Sequence, residues 1–181
     1  MDGWDIPEIG PCDNFGPAAK GREDVYGCGR PYEFKVDEWI QVVREEGISR
    51  IVVLCEPKDY SYFIDKFEDE FGQKNVLRAT VTDYHLCEKE LLNNEIIPFI
   101  NQSIEQNEKV VVHCNAGSGR TGHVLAAWLY SHEGDVDVSE ARKSVSRPGG
   151  RGYVSRNPSE AVICGNATLE DLENLIRSTR E

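Results

Sequence analysis

The chain has 181 residues, of which 39% are hydrophobic and 29% charged, with 32 acidic against 20 basic residues and a formal net charge of −12. That length suits one domain with a buried core and would cramp two, and the composition sits near the globular norm, which argues against wholesale disorder. So acidic a chain is a poor platform for nucleic acid or an anionic membrane surface, and no apolar run approaches the roughly 20 residues that span a bilayer.

Residues 1–24 are rich in Gly, Pro and Asp and read as an irregular N-terminal arm, with one domain over residues 25–181. The acidic start, MDGWDIPEIGP, has neither the basic nor the apolar region of a signal peptide. The cysteines at 12, 28, 55, 87, 114 and 164 form no short-range framework. Free thiols in a reducing cytoplasm are therefore expected, and the sequons at Asn101 and Asn166 carry no weight.

Val36, Trp39, Ile40 and Val43 recur at helical spacing before Gly47, which predicts an amphipathic helix over 36–46. Ile51-Val52-Val53-Leu54-Cys55 predicts a buried strand. Phe63, Ile64, Phe67 and Phe71 fall on one face of a helix over 60–71 that Gly72 stops, and strand signals follow at 76–77 and 79–81. The apolar spacing from Leu91 to Ile104 predicts a helix over 88–107, which Pro98 must kink or break. Lys109-Val110-Val111-Val112 is the most strand-like segment. Helical patterns occupy 121–132, 138–146, 159–164 and 168–178, with a loop at 148–152. Strands buried on both faces and alternating with helices imply one α/β domain. Its expected centre is a four- to five-stranded, mostly parallel sheet flanked by helices.

The chemistry concentrates in Val110-Val111-Val112-His113-Cys114-Asn115-Ala116-Gly117-Ser118-Gly119-Arg120-Thr121-Gly122. A buried strand running into a Gly-rich turn that opens a helix is where open α/β sheets bind ligands. Successive N–H groups in such a turn form an anion nest, and the helix N-terminus adds positive charge. Asn115, Ala116, Gly117, Ser118, Gly119 and Arg120 are thus the expected phosphate-binding residues. Gly117, Gly119 and Gly122 allow positive φ and close approach. No Gly-Lys-Ser/Thr follows, so this is not the loop of nucleotide-triphosphate enzymes. A thiol at this position is held as the thiolate and faces the phosphorus. Arg120, six residues on, can curl back and hold two phosphate oxygens with its planar fork. Fixed donors around the transferring group are the main catalytic term in such chemistry. A Cys with an Arg six residues later is a weak signal alone. The whole ensemble of strand, His, Cys, Gly, Arg, Thr, Gly and apolar helix is specific.

That ensemble, His113-Cys114-x-x-Gly117-x-x-Arg120-Thr121-Gly122, resembles the signature of the protein tyrosine phosphatase superfamily, in its compact dual-specificity-like branch. The resemblance extends from about Val25 to Ala161 and includes Tyr26-Gly27-Cys28-Gly29-Arg30-Pro31 as an early strand and turn. It implies the cysteine-phosphatase fold and hydrolysis of phosphate monoesters through a phosphocysteine on Cys114. It further implies that Arg120 clamps the phosphate, Thr121 donates its hydroxyl to the departing thiolate, and His113 orders the loop from behind. The leaving group needs a proton. Asp83, 31 residues before Cys114 in a strand–loop context, matches the family's general acid, with His85 as the alternative. The Arg147-Pro148 turn can wall the pocket and Asn157 can orient the hydrolytic water. Arg151 and Arg156 either supply local positive potential or pair with the acidic surface.

The four histidines and the cysteines show no metal-ligand spacing, so neither metal nor other cofactor is expected. Neutral Asn115, Ala116 and Ser118 in an acidic chain favour phosphorylated protein substrates, and the resemblance implies phosphotyrosine, then phosphoserine or phosphothreonine, as the ester, with the enzyme acting as a monomer. A phosphoinositide or inositol-phosphate phosphatase would place Lys or Arg in the loop, and a phosphate-reading binding module would not need Cys114, Arg120 and Asp83 together. An exposed thiolate also predicts oxidation at Cys114 first, with Cys55 or Cys87 as the thiol that could pair with it.

Overall fold

In the computed structural model, residues 11–149 and 155–181 are described. The β-branched runs pair into a five-stranded sheet: β1 (Gly16–Pro17), β2 (Val25–Gly29), β3 (Ile48–Val53), β4 (Val76–Arg78) and β5 (Lys109–Cys114), in the order β1-β2-β5-β3-β4. The last four strands are mutually parallel and β1 adds an antiparallel edge. Successive side chains of β5 point to opposite faces. Val111 joins Trp39, Val43, Ile51 and Phe67 on one side, while Val110 and Val112 join Val52, Leu125 and Trp128 on the other. Helices α1 (Val36–Glu45) and α3 (Ile64–Phe71) cover the first face. The second lies under α5 (Ile97–Glu105), α6 (Gly119–His132), α7 (Val138–Val145) and α9 (Leu169–Arg177). The chain is thus a single α/β domain with a mostly parallel sheet between helices, and β5 at its centre ends at Cys114.

Several boundaries differ from expectation for local reasons. Within residues 11–24 the chain is irregular apart from β1, and Cys12, Phe15, Ala18 and Ala19 are buried there; residues 1–10 of the arm lie outside the described residues. The helix expected over 60–71 is two pieces. Pro57 opens the one-turn α2 (Pro57–Tyr60), where its fixed φ and missing N–H cost nothing, and α3 begins at Ile64. Residues 79–81 are not a strand. Ala79 and Val81 still donate to the Val53 and Leu54 carbonyls at 2.9 and 3.0 Å, which carries the extended chain toward the site. The break demanded by Pro98 is a π-turn, Leu92–Ile96, between α4 (Lys89–Leu91) and α5. Widening the preceding turn accommodates a ring that cannot donate and would clash with the carbonyl four residues back. The helix expected over 159–164 is the single turn α8 (Glu160–Ile163). Of the loop expected at 148–152, residues 150–152 lie outside the described residues. Among the described residues no helix is long and apolar enough to cross a membrane.

Candidate active site

The turn after β5 is shaped by contact with the end of β2. Gly29 is the register partner of Cys114. Gly117 has φ of +67°, and a Cβ there would collide with the Cys28 carbonyl carbon and lie 2.6 Å from the Gly29 nitrogen. Only glycine can pass this point. Hydrogen bonds then draw the loop carbonyls outward. The Arg30 N–H donates to the Asn115 carbonyl at 3.1 Å and Asn14 Nδ2 donates to the Ala116 carbonyl at 3.0 Å. Asn115 Nδ2 is held by Asp59 Oδ2 at 3.2 Å. Among the described residues, the N–H groups of Asn115, Ala116, Gly117 and Ser118 have no protein acceptor. Four free donors on one tight turn, leading into the N-terminus of the 14-residue α6, make an anion nest.

Cys114 is 3% exposed at the mouth of this nest, buried and not exposed as expected, and Arg120 is 2% exposed in the first turn of α6. The Arg120 fork is held from two sides. Nη1 donates to the Val81 carbonyl at 3.0 Å and Nη2 pairs with Asp83 Oδ1 at 2.9 Å. The structure therefore brings Asp83 to the arginine of the Cys114 loop, with its own carboxylate 36% exposed. Local bonds set the Asp83 turn: its N–H donates to Glu56 Oε2 at 3.3 Å, and Tyr84 at φ +60° donates its N–H to Asp83 Oδ1 at 3.0 Å. His85 is exposed, and its Nδ1 lies 2.8 Å from the Asp83 carbonyl, so it shapes the turn. Asn166 Nδ2 reaches across from the α8–α9 connection to the Tyr84 carbonyl at 3.0 Å.

Two histidines brace the loop from within. His113 is fully buried among Trp39, Phe63 and Phe67, with Nδ1 3.3 Å from the Cys114 carbonyl and 3.7 Å from Cys55 Sγ. Burial pulls its pKa down to about 4, opposed by the bond to the Cys114 backbone and aided by Arg120 and Arg30. His123 is brought down to about 4 by the same burial. Its Nδ1–H donates to the Gly119 carbonyl at 2.9 Å while Nε2 accepts the Cys87 N–H at 3.0 Å. It thus ties the start of α6 to the end of the Asp83 loop, a role that sequence reading, which weighed His123 only as a metal ligand, did not find.

Other expectations meet different partners. The Thr121 hydroxyl faces the Cys28 carbonyl at 3.5 Å and is engaged there rather than with the Cys114 sulfur. Asn157 Oδ1 accepts the Ser159 N–H at 3.0 Å and caps its own turn. The side chain that reaches the loop from this segment is Glu160, whose Oε2 accepts the Gly119 N–H at 3.1 Å. Gly119 leaves room for it, since a Cβ there would overlap the Glu160 carboxylate. Burial pushes the Cys55 thiol up, with the charge of Cys114 adding to it, so those two sulfurs feel each other. Burial pushes Cys87 up to about 12, and its Sγ contacts the Glu88 carbonyl. Among the described residues no group of three or more His, Cys, Asp or Glu could hold a metal ion. The assembly can therefore offer a sulfur nucleophile, an oxyanion cradle, a bidentate cation and a carboxyl group, all on one rim of the sheet.

Comparisons place this geometry among known proteins. The family model described as Tc-R-P, polymorphic toxin system, DSP-PTPase phosphatase, matches residues 26–134. No curated protein matches. The solved structure of Tk-PTP in the active form is similar at 26% identity and a TM-score of 0.64, covering 91% of this chain and 97% of that one. PTPMT1 in complex with PI(5)P shares the fold at 18% identity and a TM-score of 0.68, covering 92% and 97%. Kinase associated phosphatase with its catalytic cysteine changed to serine shares it at 16% identity and 0.63, covering 94% of each chain.

Proposed function

The chain belongs to the DSP-PTPase phosphatase family of polymorphic toxin systems, and from that premise we propose that it hydrolyses phosphate monoesters of proteins, phosphotyrosine first and phosphoserine or phosphothreonine second, through a phosphocysteine on Cys114. One observation carries the reading: Cys114 opens a nest of four free N–H groups whose arginine, Arg120, is joined at 2.9 Å to Asp83. In the first step the bound phosphate takes over Arg120 from Asp83, the Cys114 sulfur attacks phosphorus, the ester P–O bond breaks, and Asp83, protonated once parted from the arginine, gives its proton to the leaving oxygen. Arg120 and the nest hold the remaining phosphate oxygens throughout. In the second step water attacks phosphorus, the P–S bond breaks, Asp83 takes the water's proton, and Cys114 leaves as thiolate.

The rim supports a single phosphate. Asn115, Ala116 and Ser118 are neutral; the side chain that meets Asn115 is the Asp59 carboxylate, paired to Arg30 at 3.3 Å, and Glu56 at the Asp83 turn lies 3.9 Å from Lys58. The loop itself therefore offers no side-chain cation, besides Arg120, for a second phosphate. The test is a panel of phosphopeptides and inositol phosphates assayed in EDTA with wild type and Cys114→Ser. Phosphopeptide turnover that the substitution abolishes is expected. Preferential hydrolysis of inositol phosphates, or wild-type rates in Cys114→Ser, would overturn the proposal.

A further inference from the structure

Arg156 lies behind the phosphate loop, not on the surface. It is 1% exposed, and its fork donates to four main-chain carbonyls. Nη2 meets Asn14 at 2.9 Å and Gly27 at 3.0 Å, and Nη1 meets Pro17 at 3.1 Å and Ala18 at 3.5 Å. Among the described residues it has no carboxylate partner. Arg147, also buried, donates from Nη2 to the same Pro17 carbonyl at 2.9 Å, so two guanidinium groups share one acceptor.

The position is specific. A Cβ added at Gly27 would lie 2.8 Å from Arg156 Nη2 and 2.9 Å from Thr121 Cγ2, so the guanidinium is wedged between β2 and the first turn of α6. Gly27 pairs with Val112 and Gly29 with Cys114, which places this charge two residues, roughly 7 Å, along the strands from the sulfur. An interior built for stability alone would put an apolar side chain or a carboxylate partner here, because carbonyl dipoles only partly offset the desolvation of a cation. An arginine keeps its charge in such a site. Burial and Arg147 oppose that charge, and Cys28 and Cys114 favour it. A buried cation at this distance adds positive potential at the end of β5 and at the loop N–H groups. In a chain of net charge −12 the nest needs such a local source of positive potential.

We propose that Arg156 is a positioning residue for phosphoryl transfer, its buried charge biasing the Cys114 sulfur and the loop N–H groups toward anions from the back of the sheet. This rests on Cys114 being the nucleophile.

The experiment alkylates the full chain at Cys114 with iodoacetate, an anion, and with iodoacetamide, its neutral counterpart, followed by mass mapping. The ratio of the two rates reports potential at the sulfur and cancels changes in accessibility and nucleophilicity. Arg156→Gln is expected to lower that ratio by about threefold or more at low salt. Arg156→Lys keeps the charge while losing the fork, and is expected to hold the ratio within about twofold of wild type. Far-UV circular dichroism and melting confirm the fold of each. An unchanged ratio in folded Arg156→Gln would overturn the proposal. If that variant does not fold, a lowered ratio in folded Arg156→Lys overturns it equally. Labelling spread evenly over all six cysteines of the wild type would instead refute the reading of Cys114 itself.

Discussion

Mild acid should destabilise this protein before most of its carboxylates titrate, because two buried histidines must stay neutral. Burial holds His113 and His123 down to about 4 in the folded chain, against about 6.5 in an unfolded one. The unfolded state therefore binds protons first as pH falls. The stabilisation is complete above about pH 6.5, is lost progressively below it, and is gone near pH 4. Each full shift is worth about 3 kcal/mol, and by pH 5 about 2 kcal/mol per histidine has been lost. Together that is about 4 kcal/mol out of a typical total of about 5–15. The geometry gives His123 a particular reason to resist. Its Nε2 accepts the Cys87 N–H at 3.0 Å, and a proton on that nitrogen would set two donors against each other. Urea unfolding followed by far-UV circular dichroism at about pH 7.5 and about pH 5 measures the loss, which His123→Gln should roughly halve. A stability that stays flat over this interval in the wild type, or an equal fall in wild type and variant, would refute the reasoning.

Glu160→Gln should tighten inhibition by inorganic phosphate or vanadate several-fold, because it removes a carboxylate that accepts the Gly119 N–H of the anion nest at 3.1 Å; unchanged inhibition would mean the contact has no bearing on anion binding. Asp83→Asn should flatten the descending limb of the pH–rate profile and slow esters with good leaving groups least. A limb that survives intact would pass the general-acid role to His85. Peroxide should inactivate at Cys114 first, with phosphate protecting, and any disulfide recovered by mass mapping should join Cys114 to Cys55, which feels its charge, rather than to Cys87. Even oxidation of all six cysteines would contradict this.

What the sequence made legible was whatever a single short stretch encodes. Cys114, Gly117 and Arg120 lie within one strand–turn–helix, and their spacing fixes where each must go. The placement of Asp83 was also legible, because a parallel strand ends at the same edge of the sheet as β5 and its following chain meets Arg120 there. The break at Pro98 follows from the ring itself, but its form as a π-turn depends on which carbonyls the neighbouring turns satisfy. Glu160, Arg156 and Asn166 reach the site across 41, 129 and 82 residues of chain. No local pattern distinguishes them from solvated polar residues. His123 was visible as a histidine on an apolar helix, yet its two acceptor and donor partners sit in separate elements that only the fold brings together. The Thr121 hydroxyl's contact was hidden for the same reason, since the Cys28 carbonyl it faces comes from a strand 93 residues earlier.

The central claim is a covalent phosphoryl group on Cys114. It is tested most directly by quenching the enzyme in alkaline denaturant during turnover of an aryl phosphate and mapping the phosphorylated peptide by mass spectrometry. The account predicts an S-phosphocysteine on the peptide that contains Cys114, absent from Cys114→Ser, which should also be inactive. Sustained turnover in Cys114→Ser, or a phosphoryl group trapped on any other residue, would contradict it.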